Sequence, residues 1–157
     1  MDLPPDFKDL LAAFADEGVR FVLIGGYAVS YHSRPRATKD IDLLVAIDDD
    51  NRHRLARALE SFGVAASIAA AARALTADEI VYFGVKPLRV DILGSASGID
   101  FEGTYTRSIC AAVDGVTTRI ICLEDLLANK RASGRPQNLR DCEVLERVRA
   151  RRSRLGV

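Results

Sequence analysis

The chain has no excess charge of either sign: its 157 residues hold 22 Lys+Arg and 22 Asp+Glu. That balance excludes a polybasic protein that captures nucleic acid by bulk electrostatics. Lysine is scarce, since 18 of the 22 bases are arginine and 4 are lysine. Arginine is the better planar partner for phosphate and carboxylate, although high-GC codon usage produces the same bias. No apolar run approaches the length of a membrane span. The opening Met1-Asp2-Leu3-Pro4-Pro5-Asp6 has neither a basic n-region nor an apolar h-region, so no signal peptide is expected. The cysteines, Cys110, Cys122 and Cys142, are odd in number and lack CxxC spacing. Reduced thiols in a cytoplasmic protein are the expectation. Repeats, linkers and low-complexity segments are also missing.

What remains is a globular composition. A hydrophobic fraction of 48% with 28% charge excludes a disordered chain, although 22 alanines make much of that fraction small. A chain this long buries roughly 68–70% of its unfolded surface, enough for a core without disulfides. A single domain over 1–157 is expected, with a core over about 5–122 and closing helices over about 123–152.

Periodicity sets the elements. Phe7, Leu10, Leu11 and Phe14 follow the helical i, i+3, i+4, i+7 rule, with Pro4-Pro5-Asp6 before them and Gly18 after. Phe21–Ile24 is a short buried strand ending at Gly25-Gly26, and Tyr27–His32 is a second helix. Asp40–Ile47 is predicted as a strand. Asp48-Asp49-Asp50 caps a helix carrying Leu55, Leu59 and Phe62, which Gly63 stops. Residues 64–79 favour a short helix. Ile80–Val85 and Leu88–Leu93 are strands joined through Lys86-Pro87. A loop over Gly94–Gly98 and a weakly defined stretch to Ser108 follow. Asp114-Gly115 is a hairpin turn that places Val113 opposite Val116 and Cys110 opposite Arg119. Helices over Leu123–Ser133 and Asn138–Arg152 close an α/β chain with a mixed sheet.

Chemistry concentrates in one segment. Asp40 and Asp42, two apart in a strand, share a face. Like charges that close raise one carboxyl pKa unless a cation relieves them. Oxygen-only ligands suit Mg2+ or Mn2+; a solvated acidic edge is the plain alternative. Upstream, Gly25-Gly26 at a helix mouth suits close phosphate approach. Downstream, Asp91 lies within apolar Arg89-Val90-Asp91-Ile92-Leu93 and needs a metal or an ion pair, with Arg89 or Lys86 as the partner.

The set Gly25-Gly26, Asp40-x-Asp42 and a lone strand Asp91 resembles the DNA polymerase β-like nucleotidyltransferase superfamily. It is most similar to small single-domain bacterial members related to the abortive-infection and minimal nucleotidyltransferase toxin–antitoxin groups. The similarity includes Tyr27-Ala28-Val29, His32, Arg36, Thr38, Lys39 and Leu43-Leu44. Further on it includes Leu123-Glu124-Asp125-Leu126-Leu127, Lys130, Gly134-Arg135-Pro136, Asp141 and Leu145, spanning about residues 5–148. Gln137-Asn138 departs from the Lys-Asp common among relatives, which bears on substrate preference.

The resemblance implies that fold, a mixed sheet flanked by helices with a helical C-terminus. It also implies transfer of an NMP from an NTP, such as ATP, to a hydroxyl of an RNA, protein or small molecule. Asp40, Asp42 and Asp91 would be the catalytic carboxylates and hold Mg2+ or Mn2+. Gly25, Gly26, Arg36, Thr38, Lys39 and Lys130 would bind the nucleotide, and Asp141 would orient a base, with Arg135 as the candidate. Arg34 and Arg36 are otherwise solvated loop charges, Lys130 a snorkelling surface lysine, and His32 a core-edge histidine. The other reading is a non-catalytic module acting as antitoxin or regulatory subunit, with a small helical toxin partner. A homodimer is a further expectation. The five arginines among the last 11 residues either form a solvated tail or serve an acceptor.

Overall fold

β1 (Phe21–Ile24) is buried at every position, as a four-residue apolar run in the middle of a sheet must be. The computed structural model describes residues 1–85 and 87–157. On one side β1 pairs antiparallel with β2 (Asp40–Val45), placing Ile24 opposite Asp42. On the other it pairs parallel with β6 (Val116–Ile120). β2 pairs parallel with β4 (Arg89–Leu93), which carries β3 (Ile80–Phe83) antiparallel at its outer edge. β5 (Ile109–Val113) closes the opposite edge, giving the order β3-β4-β2-β1-β6-β5. The DxD strand therefore lies inside the sheet, with a neighbour on each side.

Helices form two groups around this sheet. α1 (Pro5–Glu17) packs on α3 (Asp49–Phe62), which also holds α4 (Ala66–Arg73). α2 (Gly25–His32) meets α6 (Leu123–Ser133) and α7 (Pro136–Leu155). α1 buries Phe7, Leu10, Leu11 and Phe14, the four predicted positions. Asp48 caps α3 by accepting from Asn51 N at 3.1 Å. The hairpin register is as read, with Val113 opposite Val116 and Cys110 opposite Arg119. Its turn has φ of 49° at Asp114 and 82° at Gly115, the positive pair of a type I′ turn. All three cysteines are free thiols.

Boundaries differ in places. β2 ends at Val45 rather than Ile47, and α7 starts at Pro136, two residues before its predicted start. The reason is that proline is favoured in a first helical turn, whose N–H needs no partner. The weakly defined stretch holds a further helix, α5 (Phe101–Arg107), capped by Asp100, which accepts from Gly103 N at 2.8 Å. Lys86 lies outside the described residues, and with it the Lys86-Pro87 connection and the Lys86–Asp91 ion pair.

Candidate active site

The site is built where β1 hands over to α2. The helix starts at Gly25, so both glycines belong to its first turn rather than to a preceding loop. Gly25 has φ +69°, and a Cβ there would stand 2.1 Å from Asp42 Oδ2. A Cβ on Gly26 would stand 2.8 Å from Thr38 Cγ2. The glycines thus let Asp42 and Thr38 close onto the helix mouth. Ile24, at the N-cap, supplies no side-chain cap, so the first-turn N–H groups have no side-chain acceptor. An anion at that mouth would complete them.

Asp42 stands directly opposite Asp91 in the parallel β2–β4 register, and Asp40 stands opposite Arg89. Burial, then the charges of Asp91 and Asp40, push the Asp42 carboxyl up to about 6; Lys130 opposes the shift and a hydrogen bond with Asp91 adds to it. Asp91 is further held by Arg89, whose Nε donates to its Oδ1 at 2.7 Å. This is the ion pair that the β4 pattern allowed. Asp40 is exposed.

A second cluster faces the first. Asp141 on α7, 1% exposed, accepts from Arg36 Nη1 at 2.5 Å and Nη2 at 3.3 Å. It also pairs with Lys130 Nζ at 3.0 Å and accepts from Gln137 Nε2 at 3.1 Å. Lys130 donates to Asn138 Oδ1 at 3.3 Å. Burial alone would raise the Asp141 carboxyl, but Arg36 and Lys130 hold it below its ordinary range. Two expectations change here. Lys130 is buried rather than snorkelling, because Asp141 compensates its charge inside the fold. Asp141 orients Arg36 and Lys130, not Arg135, which lies on the rim of a cleft. Gln137 and Asn138, the departure from the family pattern, are members of this network.

Asp42 lines two adjoining clefts. One, of about 410 Å3, is bordered by Gly26, Arg36, Thr38, Lys39 and Asp40. The other, of about 320 Å3, is bordered by Gly25, Ser95, Lys130, Arg135 and Asn138. All the predicted nucleotide-side residues therefore gather around one carboxylate. Arg34 does not; it lines a separate cavity with Arg147, Arg151 and Arg152 at the α2–α7 end. His32 is structural: its Nε2 lies 2.7 Å from Ile121 O, and Arg152 Nη2 lies 3.3 Å from its Nδ1. Asp125 is structural too, bound through two contacts by Arg107. The Arg36–Asp141 contact spans 105 residues, which no local spacing signals.

Among the described residues, no three carboxylates, histidines or cysteines converge into a ready cation cage. The set is a close pair, Asp42 with Asp91, and a more distant Asp40. Its chemistry nonetheless fits a hard divalent cation, because the donors are all carboxylate oxygens and their repulsion raises the buried member.

The sheet order, the glycine mouth and the paired carboxylates define a polymerase β-like nucleotidyltransferase. The chain matches the AbiEii family, the nucleotidyl transferase toxin of a type IV toxin–antitoxin system, over residues 9–133, and it belongs to that family. Among solved structures it resembles the antibiotic-resistance factor ANT(2'')-Ia in solution, at 19% identity and TM-score 0.56, covering 96% of this chain and 91% of that one. The crystal structure of ANT(2'')-Ia with adenylyl-2''-tobramycin is similar at 18% identity and TM-score 0.56, covering 95% and 96%. A candidate nucleotidyltransferase from Thermotoga maritima aligns at 12% identity and TM-score 0.51, covering 90% and 88%. These likenesses show the fold. No curated protein matches the chain by sequence.

Proposed function

We propose that this nucleotidyltransferase transfers an NMP from an NTP to a hydroxyl with release of pyrophosphate, dependent on Mg2+ or Mn2+. The observation that carries the reading is Asp42, a half-buried acid held among its own kind against a glycine helix mouth. A bound divalent ion would neutralise these carboxylates and supply Lewis-acid stabilisation of phosphoryl oxygens. Asp40, Asp42 and Asp91 would hold it. Asp91, on the outer side, would take the acceptor proton. Gly25 and Gly26 would present first-turn N–H groups to the phosphates. Arg36 and Lys130, fixed from behind by Asp141, would place positive charge on the two flanks of Asp42, with Thr38 and Lys39 on the rim of the Arg36 cleft.

The family gives the toxin role to relatives of this chain, so we propose that its partner is an antitoxin and its setting the cytoplasm. No helix among the described residues is long and apolar enough to cross a membrane. The adenylylated product in the ANT(2'')-Ia complex supports a hydroxyl acceptor, whether RNA, protein or small molecule.

The test is incubation of wild type and Asp42→Asn with each labelled NTP, Mg2+ and cell extract. Wild type should label an acceptor, and the variant should fall by about 100-fold or more. Equal labelling by the two proteins overturns the proposal. No NTP response in calorimetry, with or without Mg2+, would instead favour a non-catalytic binding module.

A further inference from the structure

Three arginine–carboxylate contacts in the fold differ in construction. Arg36 grips Asp141 through both terminal nitrogens, and Arg107 grips Asp125 through Nε and Nη2. Both carboxylates have little exposed side chain, at 2% and 12%. Arg89 makes one hydrogen bond to Asp91, through Nε alone, and Asp91 is the most exposed of the three carboxylates, at 19%. A two-point grip fixes a guanidinium, whereas a one-point grip at the surface leaves it free to leave.

Arg89 also has a second seat. Its guanidinium carbon lies 4.4 Å from the centroid of the Tyr82 ring. Tyr82 stands opposite Asp91 in the β3–β4 register and is 58% exposed. A guanidinium over an aromatic face is attracted by the ring quadrupole and keeps its outer edge hydrated. Arg89 therefore holds both at once, its Nε on the anion and its guanidinium over the aromatic ring, so the loss of the Asp91 contact leaves the Tyr82 contact in place.

We propose that Arg89 is an internal counter-cation for Asp91, released from that carboxylate when a divalent ion binds while its stack on Tyr82 keeps it nearby, and that it thereby sets the metal affinity of the site. The proposal rests on the metal reading above. Asp91 lies beside Asp42, so an ion drawn to that pair meets the guanidinium on a shared carboxylate. The doubly charged ion outcompetes a singly charged group held by one contact. Arg89 raises the metal concentration at which the site fills, and in doing so protects Asp91 from standing unpaired next to Asp42.

The experiment is a Mn2+ titration of the full chain, followed by electron paramagnetic resonance at neutral pH. Wild type, Arg89→Gln, Arg89→Lys and Asp42→Asn are compared after circular dichroism confirms folding. Arg89→Gln should bind Mn2+ roughly three- to tenfold more tightly than wild type, with Arg89→Lys between them. Movement is read separately. The chain contains no tryptophan, so Tyr82→Trp supplies a single reporter under the guanidinium. Its emission should shift with Mg2+, and the shift should be lost on adding Arg89→Gln. Wild-type binding that needs Asp42, with Arg89→Gln equal or weaker, overturns the proposal and leaves the metal reading standing. Wild type that binds no Mn2+, or binds it as Asp42→Asn does, removes the metal reading and this proposal together.

Discussion

Asp42 exchanges stability for charge. Its carboxyl is pushed up to about 6 in the fold, against an ordinary value near 3.9 for a solvated chain. The folded state thus holds this proton more tightly than the unfolded state. The resulting stabilisation is complete below about pH 4 and is lost as pH rises through about 6. Asp141 has the opposite sign, since its lowered carboxyl stabilises above the ordinary range and fails in acid. In chelator, thermal melts of wild type should therefore show Asp42 favouring pH 5 over pH 7, by about 1 kcal/mol. Asp42→Asn should remove that component and melt a few degrees higher at neutral pH. A variant that melts lower than wild type at neutral pH would contradict the assignment. Saturating Mg2+ should narrow the difference by stabilising wild type alone.

At the scale of elements, α7 is a helix that reaches back. It delivers Asp141 to Lys130 on α6 and to Arg36 on the loop between α2 and β2. Breaking a buried pair leaves its charges uncompensated, at a cost of about 3–5 kcal/mol when one partner is removed outright. Asp141→Asn keeps one acceptor, so about 2–3 kcal/mol is expected in urea unfolding, together with lower nucleotide affinity. A change below about 0.5 kcal/mol would mean that the network does not anchor these cations. Periodicity and turn chemistry made most elements legible, as α1 and the β5–β6 hairpin show. Strand spacing puts Asp40 and Asp42 on one face, but it does not bring Asp91 opposite Asp42; that pair exists only through the β2–β4 register. α5 was not legible, because Phe101–Arg107 is short and carries Gly103 and two threonines, poor helix formers. Its one local signal is the cap at Asp100. The Asp141 network was illegible for another reason: its members meet only after α6 and α7 fold against α2.

Over the whole molecule, one apolar cluster links α1, β1, β2, β4, α6 and α7 through residues such as Phe14, Leu23, Leu43, Ile92, Leu126 and Leu145. Leu23 is fully buried, opposite Leu43 on one side and Ile120 on the other. Truncation there should cost about 2–5 kcal/mol. We expect Leu23→Ala to melt several degrees lower, in one transition that far-UV and near-UV circular dichroism both follow. Two separated transitions would divide the chain into independently folding parts. Charge is also unevenly spread, although its sum is zero. Residues 40–50 hold five aspartates and no base, and residues 147–157 hold five arginines and no acid. The acidic stretch is where a cation is proposed. Among the described residues, Arg147, Arg151 and Arg154 have no acidic partner, whereas Arg149 binds Glu124 and Glu146.

The contact between Gly25 and Asp42 orders how this chain can decay. While the carboxylate is present, any side chain at position 25 collides with it. Replacing Asp42 by a smaller residue removes the two closest of those contacts and leaves a 3.0 Å approach to the Cβ of residue 42 together with the backbone strain of a positive φ. A lineage that abandons the chemistry is therefore released in sequence, first at 42 and then at 25. The reverse order must pass through a misfolded helix mouth. Paralogues with a side chain at 25 and an intact aspartate at 42 should be rare, and those lacking the aspartate should vary at both positions.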